Sequence, residues 1–162
     1  MINSDDIKKI KEVIINMMKQ NFKADGKLFP VIMALEPNGK MTYVGTTYTN
    51  QEEKKKTLEY AKELCAKINA VALFMINEAW IKKIKPEDYE NIMADMKKTG
   101  KRISDYGDRG EIGMMLFETK TSSQMITFDI DRTNNELVNM MENPTQGGDF
   151  KNILCAIQTN TN

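Results

Sequence analysis

Residues 71–86 read VALFMINEAWIKKIKP, and the first half of this stretch decides the fold. From Ala70 to Asn77 nearly every position is apolar, which is typical of a strand that is buried on both faces or central in a sheet. The run then continues into Glu78 and Trp80, the only tryptophan of the chain. We therefore expect a central strand that ends on a carboxylate and an indole.

Helices and hairpins are predicted on both sides of this strand. The following pattern is predicted from periodicity, caps and turn residues: a helix over 4–22 capped by Ser4, a hairpin around EPNGK (36–40), a helix that opens at Asn50, a helix from Pro86 to near Gly100, a hairpin of 111–120 and 123–132, and a short helix over 134–142. The apolar stripe of helix 4–22 faces the core, or else a partner helix or a dimer seam; it consists of Ile7, Ile10, Val13, Ile14, Met17 and Met18.

This order of elements predicts an α+β fold. We expect a two-layer sandwich in which a mainly antiparallel sheet of about five strands carries two or three helices mostly on one face. A chain of 162 residues is long enough for one core. Residues 1–142 are expected to form a single domain, and residues 143–162 a C-terminal extension that could be flexible.

The composition limits the classes of function that the protein can have. Lys and Arg together number 23, as do Asp and Glu, so the net charge is zero and no global field attracts nucleic acid or an anionic membrane. No apolar stretch approaches the roughly 18 residues that a membrane span needs, and we expect a cytoplasmic protein. The isolated Cys65 and Cys155 are predicted to be small buried thiols.

Histidine is absent from the chain. This excludes Ser-His-Asp and Cys-His catalysis as well as histidine-ligated zinc. Arginine is rare, with Arg102, Arg109 and Arg132 standing against twenty lysines. Each arginine therefore either marks a place where a planar, bidentate donor is needed or stands at its position by chance.

The first candidate site is a polar cluster at one end of the sheet. Arg109 and Glu111 precede and open the strand after the central one, and residues two apart share a face. If the two strands are neighbours, Glu78 and Arg109 can form a bidentate pair roofed by Trp80. The cluster is either an ion pair that fixes the loop geometry or the rim of a pocket in which Arg109 binds a small anionic ligand.

These motifs resemble a loose set of uncharacterised bacterial and phage proteins. Those proteins share an apolar early strand, an EAW strand end, an R-x-E opening of a last hairpin, and an arginine that closes it. The corresponding stretches here are FPVIMAL (29–35), NEAW (77–80), GDRGE (107–111) and FDIDR (128–132). The family's proline before the arginine is replaced by Gly107 and Asp108. The resemblance implies a fold and a polar cluster, and no activity.

The second candidate site is the DIDR motif. Asp129 and Asp131 lie two apart on a predicted strand, so both carboxylates share one face and could bind a hard cation such as Mg²⁺. Glu118 or Glu111 across the hairpin could supply a third ligand. The alternative is that both aspartates are the solvated face of the strand.

Two functions from different classes follow. The first is a small non-enzymatic interaction protein without a cofactor, a phage or mobile-element accessory that docks on a protein partner or on itself. Helix 4–22 and the exposed Met140 and Met141 are its candidate surfaces. The second is a carboxylate-dependent metal enzyme acting on a phosphorylated substrate, with Asp129 and Asp131 as ligands and Arg109 on the phosphate.

Overall fold

The computed structural model describes residues 1–46 and 48–145, which form three α-helices and a six-stranded sheet. The elements are α1 (Ser4–Asp25), β1 (Val31–Leu35), β2 (Met41–Gly45), α2 (Gln51–Lys67), β3 (Ala72–Ile81), α3 (Tyr89–Thr99), β4 (Gly110–Thr119), β5 (Ser123–Asp131) and β6 (Glu136–Pro144). Short 3-10 turns lie at Pro86–Asp88 and Ile103–Asp105.

The sheet is antiparallel throughout, in the order β2-β1-β3-β4-β5-β6. The predicted α+β class with an antiparallel sheet is confirmed, and β3 is central as its apolar run indicated. The sheet has six strands rather than about five, because residues 134–142 form most of β6 and the helix predicted there is wrong. Asn135 and Asn139 adopt left-handed φ angles of 57° and 53°, which interrupt a helix and instead suit a turn and a bulge.

Helix α1 covers one face of the sheet. Its buried residues Ile14, Ile15, Met18 and Phe22 pack on a layer of strand side chains. Every second residue of each strand belongs to this layer, and the strand register brings these residues to one face. They are Met33, Leu35, Phe74, Ile76, Met115, Phe117, Ile126 and Phe128. In the predicted stripe, Ile14 and Met18 are buried and Ile7 and Ile10 pack partly against this layer, whereas Val13 and Met17 are exposed.

Helix α2 covers the opposite face. Leu58, Ala61 and Cys65 pack against a second layer formed by Ile32, Ala34, Val44, Leu73, Met75 and Leu116. Helices therefore cover both faces of the central strands, and the predicted placement of the helices mostly on one face does not hold in this detail. Burial raises the pKa of the Cys65 thiol to about 11, as expected for the buried thiol predicted at this position.

The observed turns and caps lie at or next to the positions that the sequence predicted. Helix α1 is capped by Asn3 rather than Ser4, with Asp6 closing a capping box. The β1–β2 turn places Gly39 at a φ of 88°, the left-handed position that glycine favours. Strand β6 runs to Pro144, so residues 143 and 144 belong to the sheet. Thr145 is also described and donates its backbone N–H to the carbonyl of Ser123 at 3.2 Å; residues 146–162 of the predicted extension, with Cys155, lie outside the described residues.

Candidate functional site

Strand β3 does not end at the Glu-Ala-Trp motif. It continues to Ile81 and pairs with β4 along its whole length, with Glu78 facing Gly113 and Trp80 facing Glu111. Because residues two apart on a strand share a face, the two glutamates and the indole all lie on the face that α1 covers. The predicted meeting of β3 and β4 at this end of the sheet is therefore observed.

The arginine at the centre of this cluster is Arg132, which follows β5. Its Nε and Nη2 donate to the two carboxylate oxygens of Glu111 at 3.0 and 2.9 Å, and Nη2 also donates to Glu78 at 3.4 Å. Nη1 donates to the carbonyl of Gly26, which ends α1. The hydrogen bonds and charge of Glu111 raise the pKa of Arg132 further above its ordinary value. We refer to Arg132, Glu78 and Glu111 as the Arg132 cluster.

The Arg132 cluster holds the end of α1 and the start of the next segment. The backbone N–H of Leu28 donates to Glu78 at 2.6 Å, and the guanidinium of Arg132 lies 5.4 Å from the ring centroid of the buried Phe22. A Cβ on Gly113 would lie only 2.9 Å from Leu28 Cδ1, so the glycine makes room for this turn. One guanidinium thus joins three strands to the end of a helix.

Arg109 occupies a different place from the one predicted. Its guanidinium stacks over Trp80, 4.6 Å from the ring centroid, and its Nη1 donates to the carbonyl of Tyr106 at 3.3 Å. Trp80 is 43% exposed, so it does not roof a buried pair. Within residues 1–46 and 48–145, the partner of Glu78 is Arg132, and the predicted Glu78–Arg109 pair is wrong.

Sequence reasoning placed Glu78 and Glu111 in one cluster, where both contact the same arginine, but it did not select that arginine. The signal was present: Arg132 is one of three arginines and it closes the FDIDR stretch. It lies 54 positions from Glu78, and the sequence around either residue does not indicate the contact. Nε, Nη1 and Nη2 of Arg132 each donate to a protein group, an arrangement that favours the interpretation of an ion pair that fixes the loop geometry.

Both DIDR aspartates accept hydrogen bonds, Asp131 within its own turn and Asp129 from β6. Asp131 accepts from the backbone of Thr133 and Asn134 and from the Asn134 side chain, and the Asn134 bonds keep the pKa of Asp131 below its ordinary value. Asp129 accepts from Asn139 at 2.9 Å. No group of three candidate ligands occurs among the described residues, and the metal site stays a prediction that no contact here favours.

A second feature is an apolar groove between α1 and the β1–β2 hairpin. Its volume is about 300 Å³. It is lined by Ile10, Val13, Ile14, Met17, Met18, Asn21, Lys27, Leu28, Phe29, Val31, Met33, Met41, Tyr43 and Ile76. Four of these are large and exposed: Val13 at 56%, Met17 at 47%, Phe29 at 58% and Tyr43 at 64%. We call this feature the α1–β2 groove.

The position of α1 leaves the groove open. The helix lies toward the far side of the sheet, where Lys11 contacts Glu142 at 3.2 Å and Lys23 contacts Glu136 at 2.5 Å on β6. On the same face, Met33 and Leu35 of β1 are buried but Tyr43 of the edge strand β2 is exposed, whereas α2 covers the other face of both strands, including Val44. Sequence reasoning pointed to the stripe of α1 but not to Phe29 or Tyr43, which lie on separate segments.

Comparison with known proteins gives no match: no family model, curated protein or solved structure is significantly similar to this chain. The resemblance to proteins with an EAW strand end therefore rests on the short motifs alone. No helix in the described part of the chain is long and apolar enough to cross a membrane.

Proposed function

We propose that this protein is a small interaction module without catalytic activity, and that it docks a protein partner in the α1–β2 groove. The observation that carries the proposal is the exposure of Val13, Met17, Phe29 and Tyr43 around one groove. Apolar side chains that gather on a surface cost free energy in water, and such patches are typical of interaction sites.

The groove also indicates the chemistry of the partner. Lys27 is the one charged residue among the described residues that line it, and its Nζ lies 4.7 Å from the ring centroid of Phe29. A segment with apolar side chains and a carboxylate near one end would complement both the groove and this ammonium group. An amphipathic helix or an extended segment can present such side chains.

The wider setting of this proposal is a phage or mobile-element accessory that acts in the cytoplasm. This part is supported by the resemblance of the four short motifs. Arg109 supports binding of a small anion, since its guanidinium lies on an exposed indole rather than in an ion pair with Glu78 or Glu111.

The test compares two lysine substitutions at exposed apolar residues. Partners are isolated from cells that express the protein, then purified and titrated by calorimetry against the unmodified protein, Met17→Lys and Tyr60→Lys. Tyr60 is the matched control because it is 57% exposed on α2. We expect Met17→Lys to weaken binding by about tenfold or more, about 1.4 kcal/mol, and Tyr60→Lys to leave it unchanged.

A negative heat-capacity change on binding should accompany the complex, because apolar surface is buried. If Met17→Lys and Tyr60→Lys bind every recovered partner with the same affinity, the groove is not the docking surface.

A further inference from the structure

The two edges of the sheet differ in how they are protected. Strand β6 has a register shift opposite Thr127 and Asp129, a left-handed Asn139, and Pro144 at its end. Strand β2 pairs with β1 in regular register over Met41–Gly45 and contains no charged residue, proline or bulge. Bulges, charges and prolines are the usual means by which edge strands avoid pairing with another chain. Strand β2 has none of them.

The hairpin geometry shows which backbone groups of β2 point outward. The N–H of Glu36 donates to the carbonyl of Lys40 at 2.9 Å, so these two residues form a hydrogen-bonded pair. In an antiparallel ladder such pairs alternate with non-hydrogen-bonded ones, and the next hydrogen-bonded pair is Ala34 with Thr42. The N–H and C=O groups of Met41, Tyr43 and Gly45 therefore point away from β1.

Within the described residues, no strand pairs with this side of β2. We propose that two copies of the chain pair through β2, antiparallel, with a two-fold axis between their Tyr43 residues. In this register Met41 faces the partner's Gly45, and each facing pair exchanges two hydrogen bonds. All three outward-pointing residues of each copy are then bonded, and the two sheets become one.

The side chains fit this register. Tyr43 is 64% exposed and would lie against the partner's Tyr43, an aromatic cross-strand pair. A Cβ built on Gly45 meets nothing within 4 Å, which leaves room there for the partner's Met41. Facing residues of an antiparallel pair point to the same side of the sheet, so the two α1–β2 grooves would join into one apolar surface across the axis.

This inference shares Tyr43 with the proposed docking surface but depends on the backbone of β2. Its test is sedimentation velocity over a concentration series. We expect a concentration-dependent dimer for the unmodified protein, and about tenfold or greater weakening in Tyr43→Lys, which places like charges opposite each other. Met17→Lys, in the groove but off the edge, and Met141→Lys, 58% exposed on β6, should dimerise normally.

The outcomes separate this inference from the proposed function. Partner binding that is lost in Met17→Lys, together with a monomer at every concentration, would overturn the dimer and keep the groove. A dimer that Met141→Lys breaks and Tyr43→Lys does not would place the interface on β6. Circular dichroism of each variant verifies that it is folded.

Cysteine cross-linking tests the register. In a Cys155→Ser background, Tyr43→Cys should form a disulfide-linked dimer, because facing Cα atoms lie about 5.5 Å apart. Met41→Cys alone should not, since its copies are displaced by four residues, roughly 14 Å, but it should cross-link when mixed with Gly45→Cys. Cys65 is 2% exposed and is retained. Efficient cross-linking of Met41→Cys alone would refute the register.

Discussion

Arg132 and Arg109 lie at the same end of the sheet, yet they have different roles. Arg132 binds two carboxylates and a helix carbonyl, so it links β3, β4 and the end of α1. Arg109 lies on the exposed face of Trp80 and donates to a carbonyl three residues before it. The first arginine joins segments that are distant in sequence, and the second is held within its own loop.

The difference teaches that the role of an arginine depends on what the topology brings to it. Glu78 and Glu111 lie two positions apart along neighbouring strands, since Glu111 faces Trp80, and two like charges so close repel each other. A cation is needed beside them. It comes from β5 because that strand ends at Asp131, which places the next residue beside both carboxylates.

The largest loss of stability is expected for Arg132→Ala, which directly tests the difference between the two arginines. The side chains of Glu78 and Glu111 are only 25% and 28% exposed, so the substitution leaves two partly buried carboxylates without their cation. Breaking fully buried pairs costs about 3–5 kcal/mol. Because Arg132 itself is 45% exposed, we expect the free energy of unfolding to fall by about 2 kcal/mol. Urea denaturation at neutral pH measures it.

Arg102→Ala is the matched control for this prediction. Arg102 is exposed, and its backbone rather than its side chain donates to Asp105. We expect a change within about 0.5 kcal/mol, as for most surface substitutions. Equal losses in Arg132→Ala and Arg102→Ala would mean that the Arg132 cluster does not stabilise the end of α1.

A milder change, Arg132→Lys, separates charge from geometry. Lysine restores the positive charge but cannot bind both oxygens of Glu111 in the planar arrangement of a guanidinium. We therefore expect an intermediate loss of about 1 kcal/mol in the free energy of unfolding, measured by the same denaturation. A variant as stable as the unmodified protein would show that charge alone is required.

Part of the fold could be predicted because the signals were local. The EPNGK turn and the apolar run 70–77 are each complete within a few residues, and both formed as expected. The prediction of a helix over 134–142 was wrong because a short apolar run fits a strand as well as a helix. An apolar run such as 70–77 needs to be buried on both faces, and a two-layer arrangement would bury only one. In the structure, α1 covers one face and α2 covers the other.

The site was harder to predict because its contacts are not local. Glu78 and Glu111 could be selected from the strand pattern, since adjacent strands bring their ends together. Which arginine meets them depends on the length of β5 and on the turn that Asp131 closes, and the sequence near Glu78 carries no signal of either. Exposure of Val13 and Met17 likewise depends on where α1 lies across the sheet, which its packing on distant strands determines.

The smallest effect is expected for Arg109→Ala. An exposed cation–π contact is worth about 0.5–1 kcal/mol, so we expect the free energy of unfolding to fall by about 0.5 kcal/mol, well below the effect of Arg132→Ala. Trp80 is the only tryptophan, and its fluorescence reports directly on the loss of the stacked guanidinium. A loss as large as that of Arg132→Ala would contradict the comparison.

The same fluorescence tests whether Arg109 binds an anion. Titration with inorganic phosphate should change the emission of Trp80 in the unmodified protein and in Arg102→Ala, and leave Arg109→Ala unchanged, because Arg109 stacks on the indole and Arg102 is exposed elsewhere. High salt should weaken the response, since an exposed charge is screened. If phosphate has no effect on the unmodified protein, Arg109 serves only to order its own loop. Both arginines would then be structural and would differ only in how much they stabilise the fold.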